Sequence, residues 1–98
     1  MEPKKIITNV TMLVKAECIE QVLPLAKATR EQILLEDGCE TFILNRRTQE
    51  PNTLVLLAIY KSEQAYVWHN EQTYVKDFFA FLNGKLAGPP IVDYLEEV

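Results

Sequence analysis

Apolar and β-branched residues are concentrated at the start of the chain, which is typical of a β-strand over residues 5–14. Successive side chains of a strand point to opposite faces. This strand would therefore present two sets of residues, Ile7, Asn9, Thr11 and Leu13 on one face, and Ile6, Thr8, Val10, Met12 and Val14 on the other. Apolar residues then recur at helical spacing over residues 18–36. Pro24 should bend the first turns of that helix, and Gly38 is expected to follow its end in a left-handed conformation.

The second half of the chain predicts three strands and two further helices. Residues 40–47 and 53–60 predict strands joined by a turn-rich loop over 48–52, and the strand over 53–60 is apolar enough to be buried on both faces. Ser62 is expected to cap a short helix that extends to about His69. A last helix, ended by Gly88-Pro89-Pro90, precedes a strand over 91–95, and its apolar positions are Val75, Phe78, Phe79, Leu82 and Leu86.

The order of these elements is β-α-β-β-α-β, with the second helix broken near Asn70. This order predicts an α+β, ferredoxin-like fold, in which helices cover one face of a four-stranded antiparallel sheet. Several strands are nevertheless apolar on both faces. An uncovered apolar sheet face needs a partner, and the simplest partner is a second copy of the chain. We therefore expect a homodimer in which two sheets pack face to face.

Size and composition narrow the possible functions. A chain of 98 residues is expected to form one domain with a thin core, so either any site is shallow or a partner subunit helps to enclose it. The sequence pI near 4.9 argues against nucleic-acid binding, and no apolar run is long enough to cross a membrane. The N-terminal segment lacks the features of a signal peptide, so a cytoplasmic location is expected, with Cys18 and Cys39 as free thiols. No spacing typical of a metal site occurs.

His69 is the only histidine and the first candidate for chemistry. An imidazole titrates near neutral pH and could shuttle a proton, although a solvated or hydrogen-bonded position at a helix end is the simpler interpretation. Aromatic residues close to it in the sequence could line a pocket for a flat apolar ligand, or could simply pack in the core. These residues are Tyr60, Tyr66, Trp68 and Tyr74.

Asn9 interrupts an apolar strand, which leaves two interpretations open. The amide could point to solvent, or it could point into the pocket and hold a ketone or enolate oxygen. Cys39 is expected to be inert, because the nearby acids Glu36, Asp37 and Glu40 should raise the pKa of its thiol.

Three segments resemble the antibiotic biosynthesis monooxygenase superfamily. The turn Glu36-Asp37-Gly38-Cys39 is similar to its E-P-G-C turn, and residues 59–65 followed by His69 are similar to its third strand, helix start and trailing histidine. Gly88-Pro89-Pro90 and the final strand also fit. The resemblance extends over nearly the whole chain in element order, and it implies a single domain of this type over residues 1–98. It also implies a dimeric α+β barrel built from two ferredoxin-like protomers.

The resemblance further implies a cofactor-independent monooxygenase that acts on a quinol-like or aromatic small molecule and O₂, without metal or flavin. In such an enzyme the deprotonated substrate itself supplies electrons to O₂. His69 would then be the base or proton shuttle, Asn9 would position the substrate oxygen, and Tyr74 would replace a second histidine of some relatives. The residues expected to contact the substrate are Tyr60, Trp68, Phe42 and Phe78.

One position departs from the family pattern. Many members carry a glutamate two positions before the aromatic residue that ends the third strand, and this chain has Ala58 there. If that glutamate orients the histidine, its loss would leave the tautomer of His69 less defined. Two alternatives therefore stay open: an isomerase that acts on a small phosphorylated dione, and a dimeric ligand-binding protein without catalytic activity.

Overall fold

The computed structural model describes residues 4–98 and confirms the ferredoxin-like α+β fold. A single turn of 3₁₀ helix at Ala16–Cys18 precedes the first α-helix, and the elements are β1 (Ile6–Leu13), α1 (Ile19–Leu34), β2 (Cys39–Arg46), β3 (Thr53–Tyr60), α2 (Glu63–Asn70), α3 (Thr73–Phe81) and β4 (Ile91–Leu95). The sheet has the order β2-β3-β1-β4, and every neighbouring pair is antiparallel. Residues 1–3, which begin the N-terminal segment that was expected not to be a signal peptide, lie outside the described residues. No helix within residues 4–98 has the length and apolar character needed to span a membrane.

The helices begin close to where the sequence predicts, but the last helix ends earlier than predicted. The Ser62 hydroxyl accepts a hydrogen bond of 3.1 Å from the backbone N–H of Ala65, as expected for a helix cap. The last helix, however, ends at Phe81 and does not continue to Leu86. Gly84 reverses the chain with φ +82°, and Leu86 then forms an isolated β-bridge with Val14. The predicted helix is too long because Leu82 and Leu86 contact the core from the segment that follows the helix, where Gly84 allows the chain to turn.

Gly38 is needed for a different reason from the one predicted. Within residues 4–98, Gly84 is the only residue with positive φ, so Gly38 is not a left-handed helix end. A Cβ atom at Gly38 would overlap with the Cβ of Ala65 in α2. The glycine therefore allows α2 to pack directly against the turn between α1 and β2. This close contact fixes the position of α2, the helix that carries His69.

The core lies between the helices and one face of the sheet. Met12, Val22 and Leu54 are fully buried there, and Phe78 of α3 packs against the same cluster. Along β3, residues facing the helices are buried, whereas the alternate residues Val55, Leu57 and Ile59 are half-buried. The prediction that this strand is buried on both faces is therefore wrong for the single chain, because the helices cover only one face of the sheet.

Candidate active site

His69 lies near the end of α2 with its side chain 8% exposed, and both ring nitrogens have partners. Nδ1 lies 2.9 Å and 3.1 Å from the two carboxyl oxygens of Glu36. Nε2 lies 3.1 Å from the hydroxyl oxygen of Tyr60, at the end of β3. Three separate elements thus meet in one chain of hydrogen bonds, Glu36–His69–Tyr60.

The role of Glu36 was not predicted, since the sequence pointed to this residue only for its effect on the Cys39 thiol and as part of a family-like turn. The Glu36 side chain is 2% exposed and lies in the tight turn after α1, where its backbone N–H donates to the carbonyl of Ile33 at 3.0 Å. Tyr74 of α3 donates a hydrogen bond of 2.5 Å to the same carboxylate. Glu36 thus supplies the orienting carboxylate that Ala58 lacks. The family-like turn that contains Glu36 was the available signal.

The hydrogen-bond partners of His69 determine which of its ring nitrogens carries the proton. An ionised carboxylate can only accept hydrogen bonds, so Nδ1 of His69 must donate to Glu36. In the neutral imidazole, Nε2 is then the acceptor and the Tyr60 hydroxyl donates to it. A carboxylate that holds the Nδ1 proton fixes the tautomer and stabilises the imidazolium that forms when Nε2 takes up a proton. The arrangement can therefore accept a proton at a defined atom.

Burial raises the pKa values of the groups around Glu36. The pKa of Tyr60 is raised mainly by burial, and next by the negative charges of Cys39 and Glu36. The pKa of Tyr74 is raised by burial and then by its hydrogen bond to Glu36. Both phenols therefore keep their protons and act as donors. Burial, followed by the charge of Glu36, raises the pKa of the Cys39 thiol to about 11, in the direction expected from the sequence. This thiol is not an activated nucleophile.

A cavity of about 210 Å³ lies between the sheet and the helices, and His69 and Tyr60 form part of its wall. Small side chains on the sheet, Thr8 and Ala58, leave room for it. The other lining residues are mostly apolar or aromatic, and they include Val10, Ile33, Phe42, Leu44, Leu56, Tyr66, Val75, Phe78, Phe79 and Val92. An apolar cavity of about 150 Å³ binds benzene in another protein. This cavity therefore has room for an aromatic ring with substituents.

The structure brings together four of the seven predicted site residues around this cavity: His69, Tyr60, Phe42 and Phe78. Tyr74 is absent from the cavity wall, and its hydroxyl instead bonds to Glu36 behind His69. Whether any of these residues takes part in catalysis stays a prediction.

Asn9 and Trp68 do not line the cavity, which corrects their predicted placement. Asn9 is paired with Leu57 and Asp93 on the sheet face away from the helices, because its neighbours Thr8 and Val10 face the cavity. Trp68 precedes His69 in α2 and is therefore rotated by about 100° around the helix axis. Its side chain is 51% exposed.

Tyr66, one of the aromatic residues near His69 that could line a pocket, does line the cavity. Two further lining residues were not candidates for the site: Phe79 contributes aromatic surface, and Arg30 of α1 contributes a positive charge. Their order in the sequence did not show which helix faces turn toward the sheet. Within residues 4–98, no three His, Cys, Asp or Glu side chains lie close enough to hold a metal ion.

One family model matches most of the chain, and solved structures share its fold. Residues 5–80 match the family model described as antibiotic biosynthesis monooxygenase. A conserved protein from Methanosarcina mazei Go1 is similar in structure, with a TM-score of 0.90, 22% identity, and coverage of 97% of this chain and 94% of that chain. A Mycobacterium tuberculosis protein, Rv0793, has a TM-score of 0.90, 20% identity, and coverage of 96% and 95%.

A crystal structure of an antibiotic biosynthesis monooxygenase has a TM-score of 0.91 and 19% identity, and the alignment covers 95% of this chain and 98% of that one. At these levels of identity the structural similarities show the fold alone. The comparison with curated proteins gave no match.

Proposed function

Because the chain belongs to the antibiotic biosynthesis monooxygenase family, we propose that it is a cofactor-independent monooxygenase for a quinol-like or aromatic small molecule. The observation that carries this proposal is the Glu36–His69–Tyr60 hydrogen-bond chain, which ends at the wall of an apolar cavity. A buried base beside a binding site for a flat ring is what this reaction requires.

The first step of the proposed reaction is a proton transfer. The quinol ring lies among Phe42, Phe78 and Tyr66, and its hydroxyl proton passes to Nε2 of His69, either directly or through the Tyr60 hydroxyl. Glu36 accepts the Nδ1 hydrogen bond and stabilises the resulting imidazolium. Tyr60 remains a donor and holds the phenolate oxygen of the substrate. The low polarity of the lining strengthens both interactions.

The second step is oxidation of the electron-rich anion by O₂. A ring carbon gains a C–O bond and loses its hydrogen, and the quinol becomes a hydroxyquinone. The four electrons that the substrate loses reduce O₂, so that one oxygen atom enters the ring and the other leaves as water. The proton held by His69 returns to the oxygen that becomes water, and the site regains its starting state.

Oxygen consumption tests this proposal. With reduced naphthoquinols and ¹⁸O₂, the protein is expected to consume O₂ faster than buffer does and to place one ¹⁸O atom in the product. His69→Ala should reduce the rate above buffer by about a hundredfold or more, the usual contribution of a general base. Glu63→Gln, at an exposed position in the same helix, is the matched control and should retain activity.

A different outcome would overturn the monooxygenase. If no naphthoquinol is consumed above the buffer rate, the proposal fails. Solvent deuterium incorporated into a dione phosphate without O₂ uptake would then support the isomerase. Ligand binding that persists in His69→Ala, with no turnover of either substrate class, would support a binding protein.

We also propose that the working unit is a homodimer formed through the open face of the sheet. Ile43, Ile91 and Leu95 are each close to half exposed on that face, next to the half-buried Val55 and Leu57 of β3. A second copy presents the same apolar surface and can cover it by a twofold arrangement. Light scattering should give twice the 11.3 kDa chain mass at micromolar concentration. A folded monomer at that concentration would contradict the dimer.

A further inference from the structure

Among residues 4–98, Arg30 is the one Lys, Arg, Asp or Glu that lines the cavity. It lies on the stripe of α1 formed by Ala26, Thr29, Arg30 and Ile33, all of which line the cavity at helical spacing. Ala26 and Ile33 are buried, whereas the Arg30 side chain is 31% exposed. A residue that lines the cavity and also reaches solvent lies where the cavity opens. The mouth of a mostly apolar site therefore carries a positive charge.

The partner of Arg30 within the chain is a weak one. Its Nε and Nη2 atoms donate to one oxygen of Glu31 at 3.2 Å and 3.0 Å, and the Glu31 side chain is 66% exposed. Exposed ion pairs of this kind contribute little to stability. In the part of the chain that the structure describes, Nη1 has no hydrogen-bond partner. The guanidinium thus retains donors that a ligand can use.

We propose that the substrate carries an anionic group, a carboxylate or a comparable oxyanion, and that Arg30 binds this group at the mouth of the cavity. This inference rests on the proposed function, since it specifies the class of ring compound that the site accepts. The chain has a net charge of -4, which disfavours anions in general. A local cation is therefore needed to admit an acidic ligand. A guanidinium suits a carboxylate because it can donate two parallel hydrogen bonds.

Binding of unreactive ligands tests the inference separately from turnover. Naphthoate and naphthalene share a ring system and differ in the carboxylate, and neither is a quinol. Calorimetry or competition binding on the full chain is expected to show that naphthoate binds at least about tenfold more tightly than naphthalene, as one charge-assisted interaction would give. Arg30→Met, which keeps a long apolar side chain, should remove this preference and leave naphthalene binding within about twofold.

Two further variants test whether the preference for naphthoate depends on the charge of Arg30 in particular. Glu31→Gln removes the carboxylate that competes for the guanidinium, and it should tighten naphthoate binding while naphthalene binding stays unchanged. Arg47→Met is the matched control, because Arg47 is exposed, pairs with Glu50 and does not line the cavity. It should retain the full preference for naphthoate.

Equal affinity of the wild-type protein for both ligands, no binding of either, or an unchanged preference in Arg30→Met would overturn the inference. None of these results decides the proposed function, which the oxygen-consumption experiment tests separately. A protein that oxygenates neutral naphthoquinols but does not prefer naphthoate would still be a monooxygenase, and only the role of Arg30 would be wrong.

Discussion

Both faces of the sheet carry apolar residues, but the surroundings of the two faces differ. On the face covered by the helices, Leu54 and Leu56 are buried, and the small residues Thr8 and Ala58 leave space for a cavity beside His69. On the open face, the alternate residues of β3 are only half-buried, and Ile43 is 46% exposed. Apolar character alone therefore does not identify the site. What distinguishes the covered face is a second layer that brings polar groups from the α1–β2 turn, α2 and α3 to one point.

The largest expected difference between the two faces is in stability. Leu54→Ala removes a fully buried side chain and should lower the free energy of unfolding by about 2–5 kcal/mol. Leu57→Ala, on the same strand but facing the open side, should cost about half as much or less in dilute protein. Urea unfolding measures both. If the open face is a dimer interface, the loss in Leu57→Ala grows with protein concentration, whereas the loss in Leu54→Ala does not.

Equal losses for the two variants at every concentration would contradict this comparison, because the two faces would then be equally covered in the folded protein.

An intermediate effect is expected from the polar network behind the covered face. Tyr74→Phe removes a hydrogen bond to the buried Glu36 carboxylate and should destabilise the protein by about 1–3 kcal/mol. Tyr66→Phe is the same substitution at the exposed hydrogen bond between the Tyr66 and Tyr94 hydroxyls, and it should cost less than about 1 kcal/mol. Thermal or urea unfolding gives both values. If Tyr66→Phe destabilised the protein as much as Tyr74→Phe, the hydrogen bond to the buried Glu36 carboxylate would contribute no more than the exposed one, and this prediction would be wrong.

The smallest effect is expected from pH. The Cys39 thiol, beside Tyr60 on the covered side, has its pKa raised from 9.0 to about 11 in the folded protein. Between pH 9 and 11 the unfolded chain therefore binds fewer protons than the folded one, and stability falls as pH rises. The raised pKa values of Tyr60 and Tyr74 add to this loss from about pH 10 upward, where the phenols of the unfolded chain ionise. Unfolding measured across this pH range should show a shallower decline in Cys39→Ala.

Cys18→Ala is the matched control and should keep the wild-type pH slope. A flat stability profile in the wild-type protein would contradict the burial of Cys39 and the two tyrosines.

Much of the fold could be predicted because periodic patterns report local structure directly. Runs of apolar and β-branched residues located the four strands and helical spacing located the helices, and the bounds of β3 and β4 agree with the predicted ranges. The prediction failed at the end of α3, where Leu82 and Leu86 follow helical spacing but lie in a turn and in an isolated β-bridge, respectively. It also gave the wrong reason for Gly38, whose role depends on Ala65, a residue 27 positions away. Sequence spacing cannot report such a contact.

The candidate site was predicted only in part, for the same reason. His69 and its neighbour Tyr60 are close in sequence, and both were selected. Glu36 lies 33 residues before His69, so its role became visible only when α2 packed on the α1–β2 turn. Asn9 was placed in the pocket as one of two possibilities, and the register of β1 against β3 and β4 excludes that position.

The sequence alone determined the order of the elements, the α+β class, the family resemblance and the identity of the single histidine, because each depends on residue types and on spacing along the chain. Only the tertiary structure decided which carboxylate holds that histidine, which strand residues face the cavity and where Arg30 lies. These features depend on strand register and on helix seating, where a shift of one residue turns a side chain to the opposite face of the sheet.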